Sequence, residues 1–151
     1  MKTNYLIILI LLLLVSCKTE NKKPPDLTDI KTADTSQNTI IGNEILISPS
    51  QAKPYRIIRI NNCQFDLVVD NADTIYLATS DTNFITPEGF KVGMKVSQIT
   101  KDLREKMTKE GGWGYYINLG SKWNLGFCEG SSCTDNYPGD TSRIKWIFKR
   151  Q

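Results

Sequence analysis

The side chains of this chain best suited to chemistry are its four cysteines, Cys17, Cys63, Cys128 and Cys133. A thiol becomes a nucleophile when a neighbouring base takes its proton, and the usual base is missing, because the chain has no histidine. The same absence removes the commonest zinc ligand and the ordinary near-neutral pH switch. Cys128 and Cys133 flank Glu129-Gly130-Ser131-Ser132, a span short enough to close on itself. We expect these two to form a disulfide, with Cys63 left as a buried thiol; a bridge from Cys63 to one of them is the alternative. A metal site would need further soft ligands. Oxygen-rich stretches occur at Asp70-Asn71-Ala72-Asp73 and from Asp135 to Asp140, but neither has the spacing or closing glutamate of an EF-hand. Asp, Asn and Gly are what turns require in any case. Glu88 and Glu129 are isolated carboxylates without an acid–base mate. No catalytic residue, metal or cofactor is expected.

Cys17 stands apart from the other three. Lys2 supplies a positive charge, and the eleven residues Tyr5–Val15 that follow are apolar or nearly so. A membrane-spanning helix needs about 20 such residues, so the run has the length of a secretory signal core. It ends in Leu14-Val15-Ser16-Cys17. That sequence resembles the lipobox of bacterial lipoproteins: aliphatic, small or β-branched, small, then cysteine. The resemblance implies a diacylglyceryl (palmitate-type) lipid on the Cys17 thiol, cleavage before it, and acylation of the new amine. Residues 1–16 would then be a signal peptide. Several acyl chains give stable anchoring where one does not, so the lipid bilayer is an expected partner through Cys17. In that family an Asp after the cysteine favours the inner membrane. Lys18 stands there, which points to the outer membrane, on its periplasmic face or at the cell surface.

The elements that would carry these groups come next. Residues 17–40 read as a lipidated flexible tether: polar, aperiodic and broken by Pro24-Pro25, with too little apolar surface to offset the entropy of ordering. Residues 41–151 fit one domain. The formal charge of +3 falls to about +2 without Lys2, too little to imply a nucleic-acid partner.

Short strands are expected at Glu44–Ser48, Tyr55–Ile60, Phe65–Val69 and Thr74–Thr79, separated by Asn61-Asn62 and Asp70–Asp73 turns. From Val96 to Lys109 the period changes. Val96, Ile99, Leu103 and Met107 recur at helical spacing, polar residues fill the other faces, and Gly111-Gly112 follows. This predicts an amphipathic helix. Its approach, Val92-Gly93-Met94, resembles over about a dozen residues the helix start of small outer-membrane assembly lipoproteins of the SmpA/OmlA type. Lys95 and Gln98 depart from it, standing where that pattern has Thr and an acidic residue. Strands resume at Trp113–Leu119 and Trp123–Phe127, and Arg143–Arg150 alternates as a last strand after a polar loop. The expected fold is α+β: an antiparallel sheet of about six to seven strands with one amphipathic helix packed on it.

Alternation places most aromatics inward. It puts Tyr116 on the face opposite Tyr115, and Arg143, Lys145 and Lys149 on the outer face of the last strand. These four residues are the expected exposed interaction surface. The expected function is a non-enzymatic envelope binding or assembly module with a protein partner. The alternatives are an inhibitor or immunity-type protein that captures a partner and, further off, a histidine-independent hydrolase.

Overall fold

The computed structural model describes residues 40–151, with side chains from Glu44 onward. The signal peptide, Cys17 and all but the last residue of the tether lie outside these residues. Two polar turns organise the first half. Asn61 and Asn62 (φ 50° and 65°), then Asn71 and Ala72 (φ 47° and 70°), take the left-handed conformation that two-residue hairpins need to match strand twist. They connect β2 (Gln51–Ile60), β3 (Cys63–Asp70) and β4 (Asp73–Thr79), and β1 (Ile40–Ser48) pairs ahead of them. The second half adds β5 (Thr108–Glu110), β6 (Gly114–Asn118), β7 (Asn124–Phe127) and β8 (Trp146–Arg150). All pairings are antiparallel, in the order β1-β2-β3-β4-β8-β7-β6-β5. The last strand thus sits between the two halves and joins them.

The expected helix is not there, and the α+β assignment is corrected to an eight-stranded, nearly all-sheet half-barrel with no amphipathic helix packed on it. Residues 96–110 form one 3-10 turn (Val96–Gln98), a four-residue helix α1 (Lys101–Arg104) and strand β5. Ile99 interrupts them in extended conformation at φ −90°, ψ 138°. The β-branched residues Val96, Ile99 and Thr100 disfavour a continuous helix, and Thr108–Glu110 gains a ladder by pairing with β6. The apolar spacing still has a cause. Val96 and Ile99 are buried, and Leu103 and Met107 pack against the same core. The period reflects one buried face of an irregular strap.

Both faces of the central strands are covered, while β2 and β5 stay largely exposed. One carries the main core, including Phe65, Leu77, Ile117, Trp123, Leu125 and Ile147, capped by the strap that runs from Phe84 to Met107. The other carries Ile47, Val68, Tyr76, Ala78, Trp113 and Phe148. It is covered by the sheet itself, which rolls until its two edges face each other. Register shifts in β1 and between Val68 and Val69 supply local bend and twist. Trp113 Nε1 donates to the Leu46 carbonyl at 2.9 Å, and Arg150 Nη1 donates to the Ile47 carbonyl at 2.9 Å. The seam between the edge strands is therefore bridged by side chains.

Candidate functional site

Where the seam stands open, a cleft of about 390 Å³ enters the rolled face. Its walls come from β1 (Ile45, Leu46), from the turn before β6 (Trp113), from β8 (Trp146) and from the disulfide loop; Asp66 and Tyr76 on β3 and β4 also line it. Alternation explains who points in. Asp66 and Ala78 are paired residues of β3 and β4, so Asp66 shares its face with Val68, Tyr76 and Ala78.

Trp113 and Trp146 make a right-angled corner, with ring centroids 5.5 Å apart and planes at 86°. The corner depends on Gly126. A Cβ built there would lie 2.2 Å from Trp146 Cε2, so only glycine lets the indole lie on β7.

The polar groups of the cleft are mostly committed. Trp113 Nε1 is spent on Leu46. The Trp146 indole N–H interacts with the Tyr76 hydroxyl, whose pKa is pushed well above the usual tyrosine range, chiefly by burial. Thr79 Oγ1 donates to the Gln64 carbonyl at 2.6 Å. Ser132 Oγ donates to Asp135. Asp66 differs: no hydrogen bond or ion pair reaches its carboxylate from the described residues. Burial pushes its carboxyl above the usual aspartate range, and burial is the sole cause of that shift. It is also the one charged side chain among the lining residues.

The disulfide loop forms the rim. Cys128 and Cys133 are bonded, and Cys63 is a free, buried thiol. Burial and then the Asp81 carboxylate push that thiol above its usual pKa, which is the opposite of nucleophile activation. Asp135 braces the loop through both the backbone N–H and the hydroxyl of Ser132, which hold its carboxyl below the usual range.

The expected interaction surface does not assemble. Tyr116 is half-buried inside the roll, edge-on to Trp113 and Phe148. Lys149 is only 4 % exposed, with its Nζ 4.8 Å from the Trp123 ring centroid on the other face. Arg143 and Lys145 are exposed, and Arg143 donates to the Gly93 carbonyl at 2.6 Å. The physical reason is that both faces of β8 are covered, so alternation there does not separate core from solvent.

The remaining carboxylate candidates are structural. Glu88 accepts from Ser121 N and Oγ at 2.8 and 2.9 Å. Burial works to raise its pKa, and the Ser121 bonds outweigh it. Asp70 pairs with Lys53 at 3.3 Å, and Asp140 pairs with Arg104 at 2.9 Å. Glu129 lies in the disulfide loop. Among the described residues no three His, Cys, Asp or Glu side chains group as a metal site. A second hollow of about 360 Å³ lies between α1 and Tyr137, but its charges pair among themselves: Arg104 with Asp140, and Lys101 with Glu105 at 3.7 Å.

Sequence reasoning missed the cleft because alternation places Asp66 on the face opposite Phe65, Leu67 and Val69, and no local pattern shows that this face is covered as well. The available signal was a lone carboxylate between Phe65 and Leu67 in a strand whose alternate positions are also apolar, at Val68.

No protein-family model and no curated protein matches this chain. Among solved structures, the crystal structure of the uncharacterized protein yfeY from Escherichia coli is similar over 86% of this chain and 91% of that one, at 12% identity and a TM-score of 0.49. No helix among the described residues is long and apolar enough to cross a membrane.

Proposed function

We propose that this protein is a lipid-anchored, non-enzymatic binding module of the bacterial envelope, held by acylated Cys17, and that the Trp113–Trp146 cleft is its binding site. The observation that carries the site is the cleft itself: an opening of about 390 Å³ with two indole walls. That volume falls within the range of small-ligand pockets, roughly 300–1,000 Å³, and apolar walls with a few fixed polar groups are what such pockets use. Binding without turnover is favoured because the lining holds no second carboxylate, histidine or lysine beside Asp66, and the Tyr76 hydroxyl is engaged by the Trp146 indole with its pKa pushed up by burial. The anchor reading rests on the lipobox pattern ending at Cys17.

Each half has its own test. Cys17→Ser should abolish lipid labelling and release or mislocalise the protein; membrane retention with undiminished labelling would sink the anchor. For the cleft, the full chain carrying Cys17→Ser is titrated with neutral 2-(1-naphthyl)ethanol and followed by the three indole N–H resonances. Those of Trp113 and Trp146 should move, and that of Trp123, buried on the opposite face, should not. Silence from all three, or equal movement of all three, would remove the cleft as a site.

A further inference from the structure

We propose that the cleft selects small molecules that join a flat apolar body to a protonated amine, with the Asp66 carboxylate as the residue that sets this specificity. The inference rests on the binding-site reading above and names its ligand class.

Three observations on the page converge on it. The first is the state of the polar groups: Trp113, Tyr76, Thr79 and Ser132 all have partners, while Asp66 has none among the described residues. A carboxylate drawn partly out of water is costly unless a cation or donor meets it. A ligand amine would supply both, and a charge-assisted N–H···O bond is the strong kind. The second is charge balance. Asp66 is the one charge on the lining, and no basic side chain pairs with it; Arg150, the cation nearest the Trp113 wall, is committed to Glu110, so the cleft presents a negative site. A carboxylate or phosphate ligand would meet repulsion there. The third is the shape and chemistry of the walls. Two indoles at 86° form a corner for a flat body to lie against; the Arg150 guanidinium already stands 5.1 Å from the Trp113 ring centroid, so the cation–π partner left for a ligand ammonium is Trp146. Both indole N–H groups are already engaged, so the rings contribute faces rather than donors. The volume of about 390 Å³ holds a bicyclic body with a short side arm.

The test uses three ligands of one shape on the full chain carrying Cys17→Ser: 2-(1-naphthyl)ethylamine, 2-(1-naphthyl)ethanol and 1-naphthylacetate. The amine should bind about tenfold or more tighter than the alcohol, as expected for a hydrogen bond to a charged group, and the acetate more weakly than either. Asp66→Asn should erase the advantage of the amine, so that amine and alcohol bind the variant with equal affinity. Equal affinity of amine and alcohol, with Trp113 and Trp146 still responding, would overturn the amine inference and leave the cleft standing. If none of the three moves the cleft indoles, both readings fall together.

Discussion

Arg150, in the last strand, grips Glu110 on the edge strand β5 two-pronged, with Nη1–Oε2 at 3.0 Å and Nη2–Oε1 at 2.5 Å. Strands β7 and β6 lie between them in the sheet, so the pair spans the inside of the curve. The same guanidinium donates to the Ile47 carbonyl on the opposite edge strand and lies 5.1 Å from the Trp113 ring centroid. One side chain therefore ties both margins of the sheet and fixes the roll that creates the cleft.

The pair is shielded, with side chains 23% and 19% exposed, so its loss should exceed that of a surface ion pair. We expect Glu110→Gln to cost about 1–3 kcal/mol, between the surface and fully buried cases. Hydrogen bonds from Arg150 are the main cause holding the Glu110 carboxyl below its usual value of 4.5. The stabilisation it contributes is thus present above that value and is lost as pH falls through the lower, folded-state one. Urea denaturation of both proteins at neutral and acid pH checks this; a gap that failed to narrow in acid would count against it.

Asp66 has the opposite sign. Burial raises its carboxyl pKa, so the folded state holds its proton more tightly than the unfolded chain does. The associated stability is present in acid and is lost as pH rises through the raised value. Asp66→Asn should match the parent in acid and become the more stable of the two toward neutral pH. A stability profile in which the variant is weaker at neutral pH would show that the carboxylate has a partner after all.

Gly126→Ala places a methyl group inside the space of Trp146. Overpacking of this kind costs about 1–3 kcal/mol. It should also swing the indole away from Trp113, which appears as changed near-ultraviolet circular dichroism together with weaker ligand binding. Loss of stability without any effect on binding would separate Trp146 from the site.

Replacing Cys128 and Cys133 together by serine opens a loop with a sequence separation of 5. Loop-closure entropy for so short a ring gives a loss of about 2 kcal/mol. Ser132 and Cys133 line the cleft, so ligand affinity should fall as well. Thermal melts and naphthylethanol titration of the double variant measure the two effects.

Much of the fold was legible from local pattern. Phe65, Leu67 and Val69 alternate with Asp66, Asn61-Asn62 and Asp70–Asp73 mark turns, and β2, β3 and β4 follow as adjacent antiparallel strands. The helix was misread because Val96, Ile99, Leu103 and Met107 satisfy a helical period while burying themselves from an irregular strap. Spacing reports which residues face the core, and several backbone paths share one spacing. Strand β5 was invisible for a related reason: Thr108–Glu110 is polar and pairs only because β6 offers an edge.

The sequence by itself determined the turn positions and the alternation that gives each strand two faces, because these are settled within a few residues of chain; it favoured Cys128 with Cys133 but left a Cys63 bridge open, which the structure decided. Tertiary structure alone decided that the second face would also be buried. That required Arg150 to meet Glu110 and Ile47, and Trp113 to meet Leu46, over separations of 40 to 103 residues. Only once the sheet had rolled did Asp66, on the face opposite Phe65 and Leu67, come to line an aromatic cleft, where partial burial makes its charge costly without a partner.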